Sequence, residues 1–237
     1  MDSYHIKVFL KVSPLPMVLG YNINMEELIE IVKRELNSSS HDFDHTLRVL
    51  NLALKIAEHY PEVNVEVLKA SCILHDIARV KEDTDPTHSI DHAELGARMS
   101  ESILKDLGYS NDFIKAVSHA IRAHRFRGNV LPETIEAKIL SDADKLDAIG
   151  AIGIGRAFMI AGEYGERLYV EVNEEELGQA KRINNFKEHS PNIEYLVKLR
   201  YIKDRLYTNY AKSIADDRLR FMNDFFKRLE REVRGEL

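Results

Sequence analysis

The chain has 237 residues, 44 % hydrophobic and 30 % charged, a balance that supports a buried core in one large or two small domains. Its net charge of -6 argues against general nucleic-acid binding, which requires a basic face, while still allowing a local basic pocket, and no run reaches the roughly 20 apolar residues of a membrane helix. The one cysteine, Cys72, excludes an intrachain disulfide and suits a reducing cytoplasm, where we expect the protein to act.

Residues 1–23 read as an N-terminal extension: lysines interrupt the apolar cluster from Tyr4 to Tyr21, Pro14 and Pro16 break it, and Met17 or Met25 offers an alternative start. From Asn24, a cap residue, Leu28, Ile31, Val32 and Leu36 recur at helical spacing. Asn37 to Ser40 form a polar turn, and a second helix runs from His41 to a stop at Tyr60-Pro61, with His45 and Arg48 on one face. A third begins near Asn64 and carries Val67, Leu68, Ala70, Ile73 and Leu74 into His75-Asp76.

Lys81 to Pro86 read as a charged turn. A further helix follows from about Ser89 to Leu107, closed by Gly108 as C′ residue, with His88 and His92 four apart. Ser110 or Asn111 caps the next, Phe113 to His124, which carries His119 and His124 before the basic tip Arg125-Phe126-Arg127. Pro132 opens a helix ending in Ser141-Asp142-Ala143-Asp144-Lys145-Leu146-Asp147. Gly150, Gly153 and Gly155 lack the dinucleotide spacing and point to close helix packing. Ala161 to Pro191 read as a polar connection with short helical pieces, in part disordered, and two helices, about Ile193 to Tyr207 and Tyr210 to Arg234, close the chain. The aromatics of the last helix are core or a homodimer face. With no alternating strand pattern the fold class is all-α: a helical core over 24–160, then a connection and C-terminal helices over 161–237 packing on it as one domain.

The chemistry centres on Cys72-Ile73-Leu74-His75-Asp76-Ile77-Ala78. An unpaired carboxylate inside an apolar run costs several kcal/mol, roughly, unless it meets a cation or takes a proton. A capping Asp beside a satisfied core His is the alternative for the dipeptide alone. Its company argues otherwise: His45, then His75-Asp76, then histidines at 88, 92, 119 and 124, then Asp142. The acids between 142 and 147 also fit an exposed face paired with Lys145 and Arg156.

This order resembles the HD superfamily of metal-dependent phosphohydrolases, whose signature is H…HD…D on a helical bundle. His45-Thr46-Leu47-Arg48-Val49, Leu74 to Ala78 and Asp142 to Gly153 look like family blocks, and the last helix, with Ala215-Asp216-Asp217-Arg218 and Phe221-Met222, is similar to that of small stand-alone HD hydrolases. The resemblance runs from about residue 24 to the end.

It implies an HD-type bundle with additional C-terminal helices, and His45, His75, Asp76 and Asp142 as ligands of a divalent ion. Such a mixed N/O set suits Mn²⁺ first, with Fe²⁺, Co²⁺, Ni²⁺, Zn²⁺ or Mg²⁺ as alternatives. One ion is expected; a second bridged by Asp76 is the alternative. Asp76, His92 and His124 are then the catalytic candidates, and Arg48, His119, Lys145 and Arg125 the substrate-binding ones. The function implied is hydrolysis of a nucleotide or related small phosphate ester by a metal-bound water, with pyrophosphate release from a nucleoside triphosphate as the narrower expectation. The guanosine-tetraphosphate hydrolases place Glu-Asp where this chain has Arg79-Val80, which argues against that substrate, and the Gly-Tyr-Pro extension of the cyclic-dinucleotide branch is missing. A non-catalytic nucleotide sensor or interaction protein on the same scaffold is the competing reading; the intact ligand set favours the enzyme.

Overall fold

The computed structural model describes residues 25–36, 43–125, 130–172 and 189–237. The expected extension over 1–23, the interior of the polar connection, and Phe126 and Arg127 lie outside them. Among the described residues every regular element is helical. In chain order these are α1 (Met25–Glu35), α2 (Phe43–Ala57), α3 (Val65–Leu74), α4 (Arg79–Asp83), α5 (His92–Asp106), α6 (Asn111–Ala123), α7 (Ile135–Asp147), α8 (Gly150–Glu163), α9 (Pro191–Val197), a 3-10 helix (Leu199–Arg205) and α10 (Asn209–Val233).

The bundle is built round α3, whose residues from Ala70 to Leu74 are all buried. An apolar stripe on one side suits a surface helix, whereas a helix apolar on every side must be surrounded. α3 accordingly packs against α1, α2, α6 and α7. Its start is fixed by Asn64, whose side chain accepts from the amides of Glu66 and Val67. α2 lies on α7, α6 on α7, and α5 on α6. α10 closes the molecule by packing on α7, α8 and the 3-10 helix.

Several boundaries differ from the sequence expectation for local reasons. α5 starts at His92 because Asp91 caps it, accepting from the amides of Ala93 and Glu94. The preceding stretch is held instead by the Asp85 carboxylate, which accepts from the amides of Thr87, Ser89 and Ile90. The charged run after His75-Asp76 forms the helical turn α4 rather than an open turn. α7 starts after Thr134, whose hydroxyl accepts from the Ala137 amide, so Pro132 lies outside it. The segment expected as one helix to Tyr207 breaks at Lys198 into α9 and the 3-10 helix. Gly150 takes φ 79° and starts α8 directly behind α7, with the Arg218 side chain against its Cα; any side chain there would be strained.

Candidate metal centre

The end of α3 carries the chain into a turn that holds His75 and Asp76, and four neighbouring elements bring their own side chains to it. His45 comes from the first turn of α2, His92 opens α5, and His124 caps the C-terminus of α6. Asp144 comes from the last turns of α7. The four imidazoles and Asp76 are all buried.

Asp76 sits between two imidazole pairs. Its Oδ2 lies 3.7 Å from His45 Nε2 and 3.6 Å from His75 Nε2. Its Oδ1 lies 3.5 Å from His92 Nε2 and 3.8 Å from His124 Nε2. Within the pairs, the Nε2 atoms of His45 and His75 face each other at 3.4 Å, and those of His92 and His124 at 3.3 Å. Asp144 Oδ1 adds a third carboxylate contact, 3.4 Å from His45 Nε2.

What each ring does with its other nitrogen decides what Nε2 can offer. His75 Nδ1 donates to the Cys72 carbonyl at 2.7 Å, and His124 Nδ1 to the Ile121 carbonyl at 2.5 Å; a carbonyl only accepts, so both rings carry their proton on Nδ1. His45 Nδ1 meets Asp147 Oδ2 at 2.8 Å, and His92 Nδ1 meets Glu82 Oε2 at 2.6 Å. In the neutral form all four rings therefore turn bare Nε2 lone pairs toward one another and toward carboxylate oxygens. Such an arrangement repels itself unless a cation lies between the donors. Two overlapping sets have ligand atoms close enough to share an ion, His45-His75-Asp76 and Asp76-His92-His124, and the imidazole and carboxylate donors fit a divalent first-row metal.

The electrostatics record the same demand for positive charge. Burial lowers the affinity of His45 for a proton, yet the carboxylates of Asp144 and Asp147 raise its pKa to about 9. Burial would raise the carboxyls of Asp76, Asp144 and Asp147; the imidazoles around the first two, and His45 with Arg48 around the third, hold all three well below the usual range. His124 behaves oppositely: burial and then the charge of His75 push it down to about 4.

A second layer fixes these groups. Asp147, which orients His45, accepts from Arg48 at 2.8 and 3.0 Å and from Arg156 at 2.9 Å. Glu82, which orients His92, pairs with Arg79 at 3.3 Å and with Arg125 at 3.0 Å. The His124 carbonyl accepts from Lys145 Nζ at 3.4 Å and from the Ser141 hydroxyl at 3.2 Å. Carboxylate partners of this kind set the tautomer and angle of a ligating imidazole.

The residues expected from sequence are distributed unevenly over this frame. His45, His75, Asp76, His92 and His124 come together. Asp142 does not: its Oδ1 accepts from the Tyr207 amide and its Oδ2 from the amide and hydroxyl of Thr208, at 2.7–2.8 Å. Residues two apart on a helix point about 200° from each other, so the α7 face that presents Asp144 to His45 turns Asp142 toward the start of α10. His119 is likewise elsewhere: it lies about 140° round α6 from His124, and its Nε2 accepts from the Glu133 amide at 3.1 Å.

Arg48, expected on substrate, holds Asp147 in a two-pronged pair. Arg125 is engaged by Glu82 and Asp91, and Lys145 is buried, its ammonium donating to Ser141 and to the His124 carbonyl. Asp144, Asp147, Arg156 and Glu82 are site residues that the sequence reading assigned no role. The spacing of Asp144 and Asp147, one turn apart on a face that excludes Asp142, was the signal for the first two.

The family model described as HD domain matches residues 42–149. The Bacillus subtilis protein YpgQ is 33 % identical over 207 residues, covering 84 % of this chain and 87 % of that protein; its crystal structure in complex with ADP aligns at 29 % identity and TM-score 0.67, over 89 % of this chain and 98 % of that one. An HD-superfamily hydrolase from Bacillus thuringiensis aligns at 28 % identity and TM-score 0.67, over 89 % and 96 % of the two chains. A predicted HD-superfamily hydrolase from an uncultured Thermotogales bacterium aligns at 28 % identity and TM-score 0.59, over 87 % and 91 %.

Proposed function

Because the chain belongs to the HD superfamily of metal-dependent phosphohydrolases, we propose that it hydrolyses a nucleotide, with a nucleoside triphosphate giving pyrophosphate as the specific reaction. The observation that carries the reading is Asp76, buried between bare imidazole nitrogens and joined by Asp144. His45, His75, Asp76 and Asp144 would hold the ion, Mn²⁺ first among those the donor set fits. Bound there, a divalent ion supplies an acidified water and polarises the phosphoryl oxygen. Asp147, Arg48 and Arg156 keep the His45 ring aimed inward. His92 and His124 stand on the far oxygen of Asp76; protonated at Nε2 as well, they would donate to the charge that develops on the phosphate.

The nucleotide class is supported by the ADP complex of YpgQ, which matches nearly the whole fold. A second reading of the far side has its own support: His92 and His124, 3.3 Å apart beside Asp76 Oδ1, are also a ligand set for a second ion.

A metal-supplemented screen against nucleoside mono-, di- and triphosphates, cyclic nucleotides and a chromogenic phosphodiester, with products read by phosphorus NMR, tests the function. Pyrophosphate from triphosphates is expected; inactivity with Mn²⁺, Co²⁺, Ni²⁺ and Mg²⁺ alike would leave only a sensor. Metal analysis of the loaded protein, one equivalent against two, separates the readings of the far side.

A further inference from the structure

Between the 3-10 helix and α10 the chain runs Leu206-Tyr207-Thr208 in extended conformation, with φ/ψ of -88°/145° at Leu206 and -90°/143° at Thr208. In an extended segment successive side chains alternate in direction. Leu206 and Thr208 are both 4 % exposed, so Tyr207 between them is turned outward, with 42 % of its surface in water. The segment is clasped to α7: the buried Asp142 carboxylate accepts from the Tyr207 amide, the Thr208 amide and the Thr208 hydroxyl. Thr208 in turn caps α10.

The clasp brings the Tyr207 ring over the site's own helix. Its centroid lies 5.9 Å from Lys145 Nζ, and that ammonium is bonded to the His124 carbonyl and adjoins Asp144 in sequence. The ring is thus one residue removed from two residues of the metal centre. It is a half-exposed aromatic ring on a backbone fixed to α7, linked to the cluster through Lys145 and the His124 carbonyl.

We propose that Tyr207 is the base-stacking residue of a nucleoside subsite, which binds the ring system of a nucleotide while the phosphates reach the metal centre. This rests on the nucleotide reading above and adds to it the residue that distinguishes a nucleotide from a bare polyphosphate. A stacking platform needs a ring with little freedom to lose on binding, and the clasp at the Tyr207 and Thr208 amides holds the backbone that carries it. Asp142 is then a positioning residue for this platform rather than a ligand. That accounts for a buried carboxylate on the face of α7 opposite Asp144.

The chain contains no tryptophan, so Tyr207→Trp places a single, selectively excitable tryptophan at the subsite without altering the backbone clasp. In the Mn²⁺-loaded full-length protein, ADP is expected to quench that fluorescence and inorganic pyrophosphate to leave it unchanged. Tyr201→Trp, on the exposed side of the 3-10 helix, should respond to neither. Tyr207→Ala is expected to raise KM for a nucleoside triphosphate about ten- to a hundredfold, the usual worth of one stacked base, with the inhibition constant of pyrophosphate unchanged and Tyr207→Phe close to wild type. Equal quenching by pyrophosphate, or parallel losses for nucleotide and pyrophosphate in Tyr207→Ala, overturns the assignment. A wild-type protein that turns over no nucleotide overturns the underlying nucleotide reading instead.

Discussion

The two sides of Asp76 use the same kind of ligand under opposite electrostatics. On the α2–α7 side His45 is hydrogen-bonded to one carboxylate, faces a second and lies near Asp76, and its pKa rises to about 9. On the α5–α6 side His124 gives its Nδ1 proton to a backbone carbonyl, is surrounded by other imidazoles, and falls to about 4. The first side concentrates negative charge and selects a cation. The second offers neutral nitrogen, suited to a phosphate oxygen once protonated or to a second ion. Partner chemistry and not residue type sets what each histidine can do.

Removing what the two sides share should have the largest effect. Asp76→Ala is expected to abolish both metal retention and turnover, beyond the about 10²- to 10⁴-fold loss of a single acid–base group, with circular dichroism still showing a helical protein. Full metal occupancy in that variant would refute the central place of Asp76. Next comes the imidazole-rich side: His124→Ala should cost about 10²- to 10⁴-fold in turnover while the first ion is retained, as metal analysis would show. Loss of half of two bound equivalents would assign His124 to a second ion.

A smaller effect is expected from the support of the carboxylate-rich side. Arg48→Ala leaves Asp147 and His45 in place but less tightly aimed, so metal affinity or turnover should fall about 10- to 100-fold; an unchanged titration with Mn²⁺ would make Arg48 dispensable to the centre. Smallest for the centre itself is Asp142→Ala, expected to keep the ion but to lower unfolding free energy by about 1–3 kcal/mol through the bonds lost at the start of α10. Asp144→Ala is its counterpart and should lose metal. If metal retention followed Asp142 instead, the assignment of the two α7 faces would be reversed.

How much was legible follows from distance along the chain. Helical periodicity, the start of α3 near Asn64, the Ser110 cap and the apolar approach to His75-Asp76 are local properties, and the structure shows them where the sequence put them. The boundaries that shifted did so where two local signals competed, as at Asp91 against Ser89 and at Thr134 against Pro132. The all-helical class and the HD resemblance were also in the sequence, because both depend on spacing within segments.

The residues that support the centre were not legible, because their partners lie on other elements. Arg48 is 99 residues from the Asp147 it binds, and Glu82 is 10 from the His92 ring that it orients on another helix. Charge and size marked Arg48, Arg125 and Lys145 as phosphate ligands equally well; only packing showed each already engaged by the protein. The same holds for the choice between Asp142 and Asp144. Both are acids at the end of one helix, and the family resemblance led the sequence reading to expect Asp142 in the set. Which one faces His45 was decided by how α7 is rotated against α2 and α3, since a turn of about 200° separates the two side chains and only tertiary packing fixes that rotation.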